Sequence, residues 1–181
     1  MDRILDIVDV YERLRKNKYR ITVEDGSSFV LELRKGALHH LAGFHYLTDL
    51  PLIAYPSYGM ERFYSDIKKG RLDIESARSS VHYNEISERI DSFATIEEIL
   101  SPKECDVIVD FDRSICGSSI VAKYYLYKRT GSVINGDVIY NNLFLGYDEA
   151  KASYYPATYL VEHSNKYIKE QNILSCKITF E

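Results

Sequence analysis

Three histidines lie close together in the stretch "LELRKGALHHLAGFHYL", which runs from Leu31 to Leu47. An imidazole accepts or donates a proton near neutral pH, so His39, His40 and His45 are candidates for acid–base chemistry. A metal site is less favoured, because His40 and His45 are five residues apart and diverge by about 140° on a helix, unlike the i, i+4 pairs of zinc-binding helices. A lone helical histidine is also commonly a surface residue or a hydrogen-bonded core residue, so the spacing leaves both roles open.

Two strand-like segments in the second half of the chain carry further candidates. Lys123 lies in "SSIVAKYYLYKR", where it is either a solvated surface residue or a cation placed over a phosphate. In "YYPATY", Pro156 restricts the start of a strand and presents Thr158, whose hydroxyl can donate a hydrogen bond to a phosphate. The alternative for Thr158 is an exposed position on an edge strand, and Tyr155 beside it is able to stack on a base.

Basic residues of the helical half have two interpretations. The run "KKGR" contains Lys68, Lys69 and Arg71. Cations at a helix end complement the C-terminal dipole, but the same residues can also follow an RNA backbone. Arg89 neighbours the apolar positions of a long predicted helix, and we interpret it as a structural ion-pair or capping residue before a catalytic one.

The elements that must position these residues begin with a helix and a hairpin. Apolar residues at helical spacing predict a helix over about residues 2–16. "YRITVEDGSSFVLELR" has two alternating runs around an Asp-Gly turn and predicts a hairpin, after which His39 and His40 fall on a short helix. "LTDLPLIAYPSYGM" is expected to be a loop because of its two prolines and its glycine. Further helices are expected at about residues 61–69, shortly after Asp73, and at about 83–100.

From Cys105 onward the pattern changes to strands. Five alternating segments predict them: "CDVIVDF", "SIVAKYYLYKR", "DVIYNNLFLGY", "ATYLVEH" and "ILSCKITF". "SNKYIKEQN", before the last of them, predicts one or two helical turns. The connections are too short for parallel crossovers, so we expect an α+β fold with a helical N-terminal half packed on a mostly antiparallel four- to five-stranded sheet.

No linker divides the chain, so we expect one domain over residues 1–181. Its parts are an N-terminal helix and hairpin (1–34), a helical part (36–101) and a strand-rich part (105–181). The 45% apolar content is enough to form one core.

Charge and cysteine content restrict the class of protein. The 23 Lys and Arg against 27 Asp and Glu leave a net charge of −4, which argues against a polybasic binder that relies on bulk phosphate neutralisation. Any contact with nucleic acid must therefore come from a local basic patch. The 3 cysteines lack CxxC spacing and predict reduced thiols rather than a disulfide framework or a zinc finger. No segment is typical of a signal peptide or a transmembrane helix, so we expect a cytoplasmic protein with no membrane partner.

The order of seven motifs resembles one family. The motifs are "LHHLAGFHYL", "FYSDIKKGRLDIESARSS", "YNEISERIDSFATIEEIL", "SSIVAKYYLY", "NNLFLGY", "YYPATYLVE" and "KYIKEQ". In order and spacing, rather than in one diagnostic signature, they resemble the phage-associated branch of the barnase, EndoU, colicin and RelE-like nucleases, from about Leu31 onward. The resemblance implies helices packed on an antiparallel sheet and a metal-independent ribonuclease of the kind used as a toxin or in conflict between phage and host. The family pattern of His, Leu, a variable residue and Gly falls on His40, which the resemblance therefore implies is functional, whereas His39 and His45 are expected to be structural.

Metal-free RNA cleavage needs a base for the 2′-OH, an acid for the leaving 5′-oxygen, and cations or hydrogen-bond donors on the phosphate. The sequence has no HExxH, no paired-cysteine metal motif and no compact carboxylate cluster, so we expect neither a metal nor a cofactor. The expected catalytic residues, which must converge on one concave surface, are His40, Lys123 and Thr158. The expected substrate-binding residues are Tyr155, Lys68, Lys69 and Arg71.

The sequence thus favours a toxin-like endoribonuclease that acts by 2′-OH transesterification, with RNA as its partner and an antitoxin or immunity protein as a second candidate partner. Two alternatives remain open. One is a catalytically inactive regulator or inhibitor that binds RNA or protein on the same scaffold, and the other is a structural or interaction domain of a mobile element. Turnover of RNA distinguishes the first hypothesis from both.

Overall fold

The computed structural model describes residues 3–102, 104–109, 124–134, 137–162 and 172–181. The chain divides into two units, the first made of residues 1–16 and 33–94 and the second of residues 17–32 and 95–181. The described part of the first unit is helical, and that of the second is a sheet with one short helix. The predicted α+β class is confirmed.

The helices of the first unit largely follow the predicted positions. They are α1 (Arg3–Leu14), α2 (Ala37–Leu41), a 3-10 helix at Phe44–Tyr46, α3 (Pro51–Ala54), α4 (Met60–Lys68), a 3-10 helix at Ile74–Ser79 and α5 (Tyr83–Ser92). The loop predicted for "LTDLPLIAYPSYGM" is wrong at Pro51–Ala54, which form α3. A proline at the first position of a helix is favourable rather than disruptive. The single helix predicted over residues 83–100 is also wrong, since α5 ends before Phe93 and a separate α6 (Thr95–Ile99) follows.

Helix α1 is held to the segment that precedes α2. Its apolar side is buried, with Ile4, Ile7 and Tyr11 almost fully covered. The Tyr11 hydroxyl donates a hydrogen bond to the Arg34 carbonyl oxygen at 2.6 Å, and burial raises the pKa of this tyrosine. The hydroxyl thereby fixes the backbone three residues before the helix that carries His39 and His40.

A carboxylate on α1 also holds α4. Glu12 accepts hydrogen bonds from Lys68 Nζ at 2.7 Å, from Arg15 Nη1 at 3.2 Å and from the Tyr64 hydroxyl. The hydrogen bonds from Lys68 and Tyr64 lower the pKa of Glu12 to about 2. Lys68, a predicted substrate-binding residue, is thus engaged in an ion pair between two helices.

The second unit is a sheet that closes on itself. Its described strands are β1 (Lys18–Val23), β2 (Ser28–Glu32), β3 (Glu104–Val109), β4 (Tyr124–Ile134), β5 (Asp137–Asp148), β6 (Ser153–Glu162) and β7 (Asn172–Phe180). They are ordered β1-β2-β6-β5-β4-β3-β7, and β7 also pairs with β1. Neighbouring strands are antiparallel except β2 and β6, which are parallel at Leu31 and Tyr154. The mostly antiparallel prediction is confirmed, but four to five strands is too few.

The extra strands come from the N-terminal hairpin. Its turn forms as predicted, with Gly26 at φ +89° and the Asp25 carboxylate accepting hydrogen bonds from the Ser27 backbone at 2.8 Å and its hydroxyl at 2.6 Å. Strand β1 then pairs with β7, where Ile21 lies opposite Ile178. The sequence predicted the hairpin but not its partner, which lies at the other end of the chain.

Strand β6 contains the predicted Pro156 and Thr158. Thr158 lies opposite Phe144 and Pro156 opposite Leu145, so Ala157 is the extra residue of a bulge. A proline is tolerated at a bulge because the ladder already lacks a regular donor there. Strand β6 pairs with β5 from Ser153 to Glu162 and with β2 at Tyr154, so the edge-strand alternative for Thr158 stays open.

One cysteine departs from the predicted redox state. Cys176 on β7 is disulfide-bonded, so the expectation of reduced thiols is wrong for this residue. Its register partner on β3 is Cys105. Persistent disulfides are typical of oxidising compartments, and the cytoplasmic localisation stays a prediction. Within the described ranges, none of the helices is long and apolar enough to cross a membrane.

We predict that Glu12→Gln lowers stability only where the native carboxylate is charged. A folded-state pKa of about 2 against an ordinary 4.5 means that the charged form stabilises the fold above about pH 4.5, and that this stabilisation is lost as the pH falls toward 2. The difference in Tm between wild type and variant, measured by circular dichroism from pH 7 to pH 2, should shrink over that range. Glu149→Gln, on an exposed turn, is the matched control, and a difference that stays constant with pH contradicts the prediction.

Candidate functional site

The three histidines of the first unit meet because a helix ends between them. Helix α2 ends at Leu41, Gly43 adopts a left-handed conformation with φ +81°, and the 3-10 helix at Phe44–Tyr46 follows. The ring centroids of His40 and His45 are 4.8 Å apart. One ring nitrogen from each of His39, His40 and His45 lies within 4.8 Å of the others. The predicted divergence of His40 and His45 is wrong, because it assumed one continuous helix.

Gly43 is required by both its backbone and its neighbours. A left-handed φ is unfavourable for residues that carry a Cβ. A Cβ at this position would also lie 2.9 Å from Ile86 Cγ2 and 3.3 Å from Arg89 Nη1, both on α5. Gly43 therefore lets the chain reverse and lets α5 approach the histidines, which gives a physical reason for the glycine in the "HLAG" pattern.

His39 is a core residue with a defined tautomer. Its side chain is 1% exposed, and its ring packs on Phe63 with centroids 5.0 Å apart. Nε2 lies 2.8 Å from the Ile53 carbonyl oxygen, which only accepts hydrogen bonds, so Nε2 carries the proton. Desolvation lowers the pKa of His39 to about 4. Nδ1 then keeps its lone pair, and it is buried without a hydrogen-bond partner in the part of the chain that the structure describes.

His40 and His45 differ in exposure. His40 is exposed, and partial desolvation lowers its pKa. His45 is half-buried, and desolvation together with the neighbouring His40, His39 and Arg89 lowers its pKa to about 4. Both imidazoles are therefore neutral near pH 7 and able to accept a proton. His40 is the one that a solvent-borne substrate can reach.

Arg89 supplies a positive charge to this cluster. Its guanidinium lies over the Tyr46 ring, with Cζ 4.9 Å from the ring centroid. Nη1 is buried and has no hydrogen-bond partner, and no carboxylate pairs with Arg89, within the described ranges. The predicted structural ion pair is thus not observed there. A guanidinium that acts on the His45 imidazole, with no carboxylate partner among the described residues, is suited to holding a phosphate.

Sequence reasoning missed both Arg89 and His45 as members of this cluster, hereafter the His–Arg cluster (His40, His45 and Arg89). The signal for Arg89 was a cation among the apolar positions of α5, which usually means an ion pair. The signal for the turn that returns His45 to His40 was Gly43, because a glycine directly after a helical run commonly ends the helix in a left-handed conformation. The arrangement can transfer protons and neutralise an anion, which are the two requirements of phosphodiester cleavage.

Two of the predicted substrate-binding cations line a groove. The groove has a volume of about 530 Å³, and its charged lining residues are Lys35, Arg62, Lys69, Arg71, Glu61 and Asp66. Four cations against two acidic residues give it a positive balance despite the net charge of −4 for the whole chain. Arg71 lies 3.7 Å from Asp66, whereas Lys68 pairs with Glu12 and lines a neighbouring groove of about 460 Å³.

Of the candidate residues in the second half of the chain, the structure describes Thr158 and Tyr155. Thr158 is half-buried on β6. The Tyr155 ring lies against Gly146, where an added Cβ would be 2.7 Å from the tyrosine Cζ, so this ring covers the neighbouring strand. Lys123 lies outside the described residues. The convergence of His40, Lys123 and Thr158 on one surface stays a prediction.

Comparison with known proteins identifies one family. A family model described as phage-Barnase-EndoU-ColicinE5/D-RelE like nuclease4 matches residues 3–180 of the 181-residue chain. No curated protein and no solved structure gives a significant match. The family resemblance inferred from the motif order is therefore confirmed.

We predict that Gly43→Ala lowers the free energy of unfolding more than Gly70→Ala does. Both glycines are left-handed, but only Gly43 has close neighbours on another helix. Left-handed strain costs roughly 1–2 kcal/mol, and the overlap with Ile86 and Arg89 adds roughly 1–3 kcal/mol. Gly70→Ala is the matched control, because Gly70 has φ +65° with nothing within 4 Å of an added Cβ. Denaturant unfolding should give the larger loss for Gly43→Ala, and equal losses would show that α5 does not press on this turn.

Proposed function

Because the chain belongs to the phage-Barnase-EndoU-ColicinE5/D-RelE like nuclease 4 family, we propose that it is an endoribonuclease of the metal-independent, toxin-like kind. The observation that carries the proposal is the His–Arg cluster, in which the exposed imidazole of His40 lies beside that of His45, and the charge of Arg89 acts on His45. Family membership supports nuclease activity, and the cluster supports a reaction driven by proton transfer.

The reaction assigns one task to each group. His40 accepts the proton of the 2′-OH, whose oxygen attacks the adjacent phosphorus as the bond from phosphorus to the 5′-oxygen breaks. The leaving 5′-oxygen takes a proton from the second imidazole, His45, once bound phosphate has favoured its protonated form. Arg89 donates to the phosphate oxygens as charge develops on them. The products are a 2′,3′-cyclic phosphate and a free 5′-hydroxyl.

Residues outside this cluster complete the proposed site. Lys123 and Thr158 are the proposed phosphate-binding residues of the second unit, and Tyr155 is its proposed base-stacking residue. Lys69 and Arg71 follow the RNA backbone along their groove, where the positive balance favours a polyanion. Lys68 contributes less, because Glu12 already neutralises it. An antitoxin or immunity protein is the proposed protein partner.

A binding protein without catalysis is the second candidate. The net charge of −4 counts against an RNA substrate and favours a protein partner, because a polyanion is repelled by an acidic chain outside local basic patches. Such a regulator binds RNA or protein through the same surfaces and turns nothing over. Cleavage of RNA by the purified chain excludes this candidate.

We predict that His40→Ala lowers the rate of RNA cleavage by roughly 10²- to 10⁴-fold, the usual contribution of one general acid or base. Folding should be retained because His40 is exposed. The rate is measured on a fluorogenic RNA, with circular dichroism as the check on folding.

His82→Ala is the matched control for that variant. His82 pairs with Glu85 through Nδ1 at 2.8 Å and lies outside the His–Arg cluster, so its loss should leave the rate unchanged. An unchanged rate in His40→Ala removes this histidine from catalysis. The same assay tests Lys123 and Thr158 of the second unit. Full activity in Lys123→Ala or Thr158→Ala removes that residue from the proposed site.

We also predict that cleavage persists in EDTA and depends on the 2′-OH. A reaction that uses only protein side chains needs no divalent cation, and a 2′-deoxy sugar at the cut has no nucleophile. Matched RNA and single-site 2′-deoxy oligonucleotides are incubated with and without EDTA, and products are analysed for a cyclic or 3′-phosphate. Activity that disappears on chelation refutes the metal-free mechanism, and cleavage at the deoxy position refutes transesterification.

A further inference from the structure

The lone pairs of the three clustered histidines are not all used by the proposed reaction. His39 is buried, and its Nε2 donates a hydrogen bond to the Ile53 carbonyl oxygen, 2.8 Å away. Its Nδ1 is left buried with a lone pair and without a hydrogen-bond partner in the described part of the chain, and His45 Nδ1 is also buried there without a partner. A histidine that ligates a metal is typically held in this way, with the other ring nitrogen donating to a carbonyl.

We propose that His39, His40 and His45, together the tri-histidine site, bind a divalent transition-metal ion of the Zn²⁺ class. One ring nitrogen from each lies within 4.8 Å of the others, so the three imidazoles are close enough to share one ion. Imidazole donors suit Zn²⁺, Cu²⁺ and Ni²⁺, whereas Mg²⁺ and Ca²⁺ require oxygen ligands. Three histidines leave a fourth position of a tetrahedral ion for water.

Binding requires a small contraction of the site. Nitrogens that are 2.0–2.1 Å from a tetrahedral zinc lie about 3.3 Å from one another, which is shorter than the 4.8 Å limit of the unfilled site. His39 is fixed by its hydrogen bond and by its contact with Phe63, so His40 and His45 must move toward it. His40 is exposed at the end of the five-residue helix α2, where a change of rotamer meets little resistance.

Arg89 opposes the metal and sets a limit on its affinity. Its positive charge acts on His45, and no carboxylate neutralises it among the described residues. Repulsion between a guanidinium and a divalent ion weakens binding, although the half-exposed position of Arg89 lets solvent screen part of it. Arg89→Gln should therefore bind metal more tightly than the native protein, which a site remote from Arg89 would not do.

The consequence for catalysis rests on the proposed function. A metal on His40 occupies the lone pair that accepts the 2′-OH proton, so the ion inhibits cleavage instead of supporting it. The tri-histidine site and the His–Arg cluster share His40 and His45, whereas His39 belongs to the metal site alone. His39 is therefore the residue whose replacement separates metal binding from catalysis.

The binding experiment uses the full chain and Zn²⁺ in competition with a chromophoric chelator. We expect one zinc per chain in wild type and a Kd at least 10-fold weaker in His39→Gln, whose amide keeps a donor for the Ile53 carbonyl but lacks Nδ1. His40→Gln should weaken binding equally. Because His40 is exposed, this variant tests the site even if the buried His39→Gln variant misfolds. His82→Gln is the matched control and should bind like wild type. Absence of stoichiometric binding, or equal affinity in all four proteins, overturns the site.

The activity experiment is read separately from binding. Zinc at saturating concentration should lower the cleavage rate of wild type at least 10-fold, EDTA should restore it, and His39→Gln should keep its activity at the same zinc concentration. Binding without inhibition contradicts the base role of His40 and leaves the metal site standing. No cleavage under any condition refutes the proposed function, while the chelator competition still decides the tri-histidine site.

Discussion

The left-handed turn at Gly43 is the constraint on which the candidate site depends. Helix α2 would carry His40 and His45 in different directions if it continued, but at φ +81° the chain leaves the helix and returns His45 to within 4.8 Å of His40, measured between ring centroids. The same residue has no Cβ, so Ile86 and Arg89 of α5 fill the space beside it. One glycine thus places two imidazoles and a guanidinium together.

The sequence predicted the local elements of this site but not their assembly. Helical periodicity and the preceding strand correctly put His39 and His40 on a short helix. Periodicity also implied that His45 pointed elsewhere, because the helix was extended past Gly43, although a glycine at this place commonly ends a helix in a left-handed residue. Arg89 was interpreted as an ion-pair residue because helical spacing identified only its neighbours on α5. The spacing did not show that its side chain would lie against Tyr46 and Gly43.

The sheet shows the same limit at longer range. Alternation located the hairpin and the later strands, but Ile21 pairs with Ile178, and Leu31 pairs in parallel with Tyr154. Pairings of this kind are decided by the energetics of the whole sheet rather than by local pattern. The estimate of four to five strands failed because it left the N-terminal hairpin out of the sheet, and the bulge beside Pro156 explains how a proline enters a paired strand.

The charges around the three histidines determine whether they favour an anion or a cation. Glu12 neutralises Lys68, whereas the groove with Lys69 and Arg71 keeps a local excess of cations. Arg89 favours an anion beside His45 and disfavours a cation, and it therefore biases the imidazoles toward phosphate over metal. The buried Nδ1 of His39 has the opposite effect, since only a proton donor or a metal ion satisfies a buried lone pair. In the proposed reaction, the balance between these two groups, rather than the histidines alone, decides whether the exposed imidazole of His40 is free to accept the 2′-OH proton.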